Sequence, residues 1–363
     1  MISARRVYDV MAWAIPLYTR SHVNRAGDSV VAYINFENIE DFDVWVPVYN
    51  KYQDALEVIN NWRSAHQYPL NTFQMTLRRK SKSITKNFIV SQRLKRLESI
   101  ERKLCSGTIT LTQMQDIGGC RAVLPTLKDV YKLVDLYKAS RFDHKFKNEK
   151  DYIVDPKEDG YRSYHLIYKY KGTDNSRSYD NLQIEIQIRT QLQHAWATAV
   201  EAVSIFTKQT LKWRGGTADW QEFFRLMSSA IALMEGANAE QKTKAELGQE
   251  VKSLAEKLMV QNVLKAYRVT LNYFGSLDER KAKLMLVQLD PDDDKVRVQG
   301  FRIAESQQAN AAYAAAEKSI GDKSASQAVL VRVESVDALR KAYPNYFLDT
   351  ALFAKLVDEV IKW

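Results

Sequence analysis

The sequence predicts an α+β protein, and three patterns carry that prediction. Leu182, Ile184, Ile186 and Ile188 alternate with polar residues, the period of two expected of a half-buried strand. Residues 113–137, QMQDIGGCRAVLPTLKDVYKLVDLY, read as strand, turn and helix. Stretches before residue 75 and from about 219 to 274 repeat apolar residues every three to four positions, as helices do.

The chain has 363 residues, enough for two or three domains and a sizeable core. No apolar run reaches the length that spans a bilayer, so no membrane is expected. The N-terminus pairs a basic start with a short apolar patch. It lacks a small-residue cleavage site and does not read as a signal peptide. Cys105 and Cys120 alone give no disulfide framework and suit a reducing cytoplasm. The formal charge is +9 and is unevenly placed. Residues 276–363 hold 13 Lys/Arg against 14 Asp/Glu, and the rest hold 40 against 30. The basic surplus points to solubility or to a polyanionic partner such as a nucleotide or RNA.

Taken in order, residues 1–75 predict a helical packing layer. Residues 77–104 are basic, with Arg78, Arg79, Lys80 and Lys82 in one cluster and Arg93, Lys95, Arg96, Arg102 and Lys103 in another. The run can be a solvated helix. The interleaved Ile100 and Leu104, however, set Arg93 and Lys95 beside a core. A triphosphate carries about four charges and needs several such donors converging. In the strand IGGCRAVL the two glycines permit close approach of a backbone or ligand, with Asp116 at its mouth and Arg121 within it. Asp116 and Glu185 together make a two-carboxylate seat for Mg²⁺, which favours one or two carboxylates plus substrate phosphates. No His/Cys set has zinc spacing.

Residues 151–172 form a turn entering a strand, in which Tyr161, Arg162 and His165 follow Gly160. Tyr161 is either a base-stacking platform or a ring packed at a strand end. On the strand 182–189 the face opposite the aliphatic residues carries Gln183, Glu185, Gln187 and Arg189. Thr190 is a helix N-cap for the segment that follows. Residues 276–342 switch to short alternating strands with an Ala-rich helix between, a small separate α+β module without Cys or His. An amphipathic terminal helix closes the chain.

Four of these stretches, RLKRLESIERK, DIGGCRAV, GYRSYH and EIQIRT, resemble in this order the synthetase domain of RelA/SpoT-type alarmone synthetases. The resemblance covers about residues 75–205. It implies a nucleotidyltransferase-like mixed sheet flanked by helices that transfers the β,γ-pyrophosphate of ATP to a ribose 3′-hydroxyl. Carried over by position, Arg93, Lys95, Ser99 and Lys103 match the ATP-phosphate motif, with Arg78, Arg79 and Arg121 as further ATP-binding candidates. Asp116 matches the magnesium aspartate, and Glu185 the acid that activates the hydroxyl and helps hold the metal. Lys157, Tyr161, Arg162, His165, Gln187 and Arg189 fall on the acceptor side. No His-Asp dipeptide of a hydrolase domain occurs.

One departure matters. The family's Lys-Pro-Asn-Gly-Tyr reads Lys157-Glu158-Asp159-Gly160-Tyr161 here, adding negative charge where a guanosine polyphosphate would bind. The pattern is similar to that of toxic small alarmone synthetases, several of which modify the 3′ CCA end of tRNA and so block translation. The extra C-terminal region resembles the fused toxin–antitoxin proteins called CapRel. This implies an enzyme domain over 1–275, a regulatory zinc-finger-like domain without zinc over 276–342, and an anchoring segment over 343–363. In that segment Tyr343 and Tyr346 would occlude ATP until a phage protein is sensed. The expectation is a cytoplasmic Mg²⁺-dependent pyrophosphokinase acting on tRNA. The alternatives are a synthetase of guanosine or adenosine alarmones, and a non-catalytic basic RNA-binding protein.

Overall fold

A computed structural model describes residues 13–36, 42–95, 97–107, 109–206, 218–237, 242–265, 284–290, 295–305, 308–309, 311–312, 315, 327–332 and 346–363. The chain divides into two units. The first takes Met1–Ala122, Tyr131–Lys150 and Tyr164–Ile188. The second takes Val123–Val130, Asp151–Ser163 and Arg189–Trp363.

The first unit begins with the helices α1 (Arg20–Ile34), α2 (Phe42–Ala65) and α3 (Gln67–Ile84), as the spacing of the first 75 residues predicts. Thr19 starts α1 by accepting the His22 amide on its side chain at 3.3 Å, satisfying a donor the helix cannot. Helix α1 packs on α2, and α3 packs on strand β1 (Ile89–Leu94). Val23 and Val30, Ile59 and Trp62, and Phe73 and Leu77 supply the buried faces. The basic stretch is therefore not one helix. It runs from the end of α3 through β1 and then into α4 (Leu97–Cys105), whose Ile100 and Leu104 are buried as their spacing predicts.

Strand β2 (Gly118–Leu124) leads to α5 (Leu127–Lys138). Strands β3 (Lys145–Asp151), β4 (Tyr164–Lys169) and β5 (Gln183–Thr190) complete a mixed five-stranded sheet in the order β1-β2-β5-β4-β3. Strands β4 and β5 are antiparallel, with His165 opposite Gln187 and Ile167 opposite Glu185. Side chains alternate across a sheet. Ile184, Ile186 and Ile188 therefore take one face, where they are buried. Glu185 and Gln187 take the other, together with Gly119 and Arg121 of β2 and His165 of β4.

Gly118 is required by packing. A Cβ there would lie 2.9 Å from Ile184 Cδ1 and 3.3 Å from His66 Cβ. Gly119 has only the Glu185 carbonyl within 4 Å of its own Cβ position, at 3.8 Å, so open space lies over this part of the sheet.

In the second unit α6 (Gln191–Phe206), α7 (Ala218–Glu235), α8 (Lys244–Lys257) and α9 (Tyr346–Val360) enclose one apolar core. Thr190 caps α6, its Oγ1 accepting the Gln193 amide at 3.1 Å while Gln193 Oε1 accepts the Thr190 amide at 3.2 Å. Phe224 stacks on Phe353 of α9 with ring centroids 5.8 Å apart. The strands expected after residue 276 are β6 (Leu284–Asp290), β7 (Lys295–Phe301) and β8 (Gln327–Arg332). They form an antiparallel three-stranded sheet with β6 in the centre. The domain boundary expected at 275/276 and most of the Ala-rich helix lie outside the described residues.

Candidate active site

Strand β1 ends at Leu94, and the next amide, Lys95 N, donates to Ile117 O at 2.8 Å. That backbone bond brings the residue after β1 beside the entrance to β2. Lys95 Nζ reaches Asp116 Oδ2 at 2.7 Å. Helix α4 sends Lys103 Nζ to the other carboxylate oxygen, Oδ1, at 3.1 Å. Asp116 is thus held between two ammonium groups. Burial lowers the Lys95 pKa, Asp116 opposes this, and the like charges of Lys103 and Arg93 lower it further. Ser99 sits one turn before Lys103 on α4, half-buried, and Arg93 is exposed near the end of β1. Arg78 and Arg79 are exposed on α3.

On the neighbouring strand Glu185 is the hub of a second network. Its Oε1 accepts from His165 Nδ1 at 3.0 Å, and its Oε2 accepts from Gln187 Nε2 at 2.7 Å. Gln187 Oε1 in turn accepts two bonds from Arg121, from Nε and Nη2, at 3.1 Å each. Burial works to raise the Glu185 pKa. His165, the Gln187 amide and the charge of Lys103 outweigh it and hold the carboxyl well below the usual carboxylate range. Lys103 therefore acts on both acids: it is paired with Asp116 and lies within the electrostatic reach of Glu185.

A carboxylate just before β2, another on the adjacent strand β5, a shared cation and the clear space over Gly119 fit a magnesium ion, which takes one or two protein carboxylates and completes its shell with phosphate oxygens and water. Asp116 and Glu185 would hold it. Among the described residues no group of three or more His, Cys, Asp or Glu side chains converges.

The remaining predicted residues belong to the second unit. Lys157 is exposed, with Nζ 4.9 Å from the ring centroids of both Tyr152 and Tyr161. Tyr161 is half-buried and packs against the apolar core of its unit. The turn beneath it is tightly specified. Gly160 N donates to Lys157 O at 2.8 Å, Asp159 Oδ1 accepts the Tyr161 amide at 2.9 Å, and Gly160 has φ +86°. One of the two acids that depart from the family's letters thus caps its own turn. Arg162 is buried and donates to Ser228 Oγ and to Ile153 O. Arg189, 1% exposed, donates to His194 Nδ1. These two guanidiniums lie inside the protein, where they brace the loop and the start of α6. Tyr343 lies outside the described residues, and Tyr346 opens α9.

Two features were not expected from the sequence. One is the partnership of Arg121 with Gln187. The other is the part-buried pair of Gln193 and Glu235, in which Gln193 Nε2 donates to Glu235 Oε2 at 3.0 Å. The i, i+2 spacing of Glu185 and Gln187 was a readable signal for the first, but its partner comes from a strand 66 residues away.

Residues 92–210 match the family described as "Region found in RelA / SpoT proteins". The protein named GTP pyrophosphokinase YjbM of Bacillus subtilis is 37% identical over 112 residues, which are 30% of this chain and 52% of that protein. The one named GTP pyrophosphokinase YwaC, of the same organism, is 35% identical over 112 residues, 29% of this chain and 52% of that protein. The chain spans about half the length of these curated relatives. A crystal structure of small alarmone synthetase 1 from Bacillus subtilis bound to its product pppGpp aligns with 25% identity and a TM-score of 0.40, covering 47% of this chain and 89% of that one. The segment that matches this family model, residues 92–210, carries both Asp116 and Glu185.

Proposed function

We propose that the chain is a pyrophosphokinase that transfers the β,γ-pyrophosphate of ATP to a ribose 3′-hydroxyl. The observation that supports this best is the pair of networks around Lys103, one neutralising Asp116 and the other orienting Glu185. In the reaction the 3′-oxygen bonds to the β-phosphorus, the bridge from the α-phosphate to that phosphorus breaks, and AMP leaves with the bridging oxygen. Transfer of this kind asks for positioning and charge neutralisation. The polyphosphate competes for Lys95 and Lys103, which frees Asp116 for the metal. Bound Mg²⁺ would neutralise phosphate charge and orient the leaving group. Glu185, kept anionic by its neighbours, accepts the hydrogen bond of the attacking hydroxyl and then its proton.

The acceptor we favour is the 3′ end of tRNA. The +10 balance of residues 1–275 supports a polyanion, and Glu158 still adds negative charge beside Tyr161. The inward bond of Asp159 removes part of the case against a guanosine nucleotide. The names of the relatives favour that second acceptor. The region from 276 on would restrain this toxin activity through Tyr343 and Tyr346, and a phage protein would release it. Incubation with ATP labelled in the γ-phosphate and either tRNA or guanosine and adenosine nucleotides decides the acceptor by where label appears. A folded protein that labels none of them refutes the enzyme. On tRNA, binding should weaken steeply with added salt.

A further inference from the structure

Ser228 stands in the interior of α7 and is buried. A serine inside a helix commonly returns its hydroxyl to the carbonyl one turn back. Ser228 instead donates across to Gly160 O at 2.5 Å. A hydroxyl has one hydrogen and two lone pairs. With the hydrogen given to Gly160, a lone pair accepts from Arg162 Nε at 3.1 Å. Arg162 also donates through Nη1 to Ile153 O at 2.5 Å. The loop 151–163 is thus tied to α7 on both sides of Tyr161.

The turn that carries Tyr161 is closed on itself, with Lys157 N donating to Tyr161 O at 3.2 Å and Gly160 N to Lys157 O at 2.8 Å. Its backbone rests directly on α7. A Cβ at Gly160 would lie 3.0 Å from Ser228 Cβ and 3.2 Å from Arg225 Cα. The carbonyl of Gly160 and the amide of Tyr161 belong to one planar peptide unit. Ser228 holds the carbonyl end, and Asp159 Oδ1 accepts from the amide end at 2.9 Å. The Cα of Tyr161 lies in that plane, so the two bonds set the base from which its ring departs.

We propose that Ser228 is a positioning residue for the acceptor: by pinning the Gly160–Tyr161 peptide to α7 it fixes where the Tyr161 ring is offered to the acceptor base. This rests on the function proposed above, with Tyr161 on the acceptor side. Without the bond, the acceptor must order the turn as it binds, and its apparent affinity falls by that cost.

The test uses the full chain with Ser228→Ala, and with Val251→Ala as a control that trims the same unit's core on α8 without removing any bond of the turn. Melting curves establish folding. The acceptor is tRNA, or the guanosine nucleotide should the labelling assay select it. Ser228→Ala should raise the KM for the acceptor about 5- to 30-fold, the equivalent of one buried hydrogen bond. Its kcat and its KM for ATP should stay at the wild-type values, and Val251→Ala should leave the acceptor KM unchanged. An unchanged acceptor KM in Ser228→Ala, an equal rise in the KM for ATP, or an equal rise in Val251→Ala overturns the assignment. A second readout needs no turnover. Amide hydrogen exchange of residues 157–161 should quicken in Ser228→Ala while that of α8 does not, and unchanged exchange in the turn overturns the proposal. Should Ser228→Ala misfold, Ser228→Cys, with its weaker donor, should move both readouts the same way by a smaller factor, and no movement there is equally decisive. A wild-type protein that transfers to no acceptor while the exchange behaves as expected refutes the proposed function alone.

Discussion

Glu185 is a carboxylate that burial alone would protonate, and the residues around it decide otherwise. His165 and Gln187 each give it a hydrogen bond, and Lys103 adds a favourable charge. The result is a largely buried acid that stays ionised at neutral pH. Such a group orients a hydroxyl before it accepts a proton from it. Replacing it by Gln keeps the size and loses the charge, so Glu185→Gln should keep its melting temperature. Its kcat for pyrophosphate transfer should fall by about 10²-fold or more. A folded variant with undiminished transfer would remove Glu185 from the chemistry. Lys103→Met probes the other network. It takes away the cation shared by both acids, so the KM for ATP should rise along with a fall in kcat. A change in neither would place Lys103 in a purely structural role.

At the junction of α2 and α3, His66 carries a pH dependence of the fold. It is buried, and its Nδ1 donates to Trp62 O at 2.7 Å. Burial lowers its pKa from 6.5 to about 4, and the Trp62 bond only partly opposes this. The unfolded chain therefore binds a proton between those two values when the folded one does not. Stability rises with pH across that window and is lost as pH falls from 6.5 toward 4. Urea unfolding at pH 5 should show a loss of about 2 kcal/mol relative to pH 7.5, and His66→Phe should flatten that slope. The neighbouring Gly118 sets a steric limit at the same place. Gly118→Ala would press a methyl onto Ile184 and His66, and should cost about 1–3 kcal/mol in the same assay. Strands such as β5 were legible in sequence because one face is wholly aliphatic. Strand β3, KFKNEKD, was not, since it is largely exposed and its charges hide any alternation. Strand β1 was hidden within a basic run that reads equally as helix. The site was legible as a set of residues through its motifs, but not as a circuit. Lys95 with Asp116 and Arg121 with Gln187 are bonds between separate elements, and no pattern along one strand announces the register of its neighbour.

At the scale of the whole molecule the terminal helix limits how the proposed restraint can be tested. Phe353, Leu356, Val357 and Val360 of α9 are buried beside Phe223, Phe224 and Val251. Gly248 of α8 admits the last turn closely: a Cβ there would lie 2.9 Å from Val360 O and 3.0 Å from Trp363 Cβ. Four such side chains contribute about 6–12 kcal/mol when buried, comparable with the roughly 5–15 kcal/mol that holds a whole domain together. A chain cut after residue 342 should therefore lose the cooperative unfolding of its second unit and aggregate, whatever α9 does for regulation. Loss of growth inhibition in that truncation would say nothing about restraint, because Tyr161 and Arg162 belong to the same unit. Phe353→Ala should show the structural effect alone, lowering stability by about 3–5 kcal/mol. Tyr346→Ala, at the first residue of α9, is the informative change. If the segment from 343 on restrains the enzyme, Tyr346→Ala should keep its melting temperature and arrest growth on expression, while a double variant with Glu185→Gln should grow normally. A Tyr346→Ala protein that is stable and harmless would leave α9 as a packing element only.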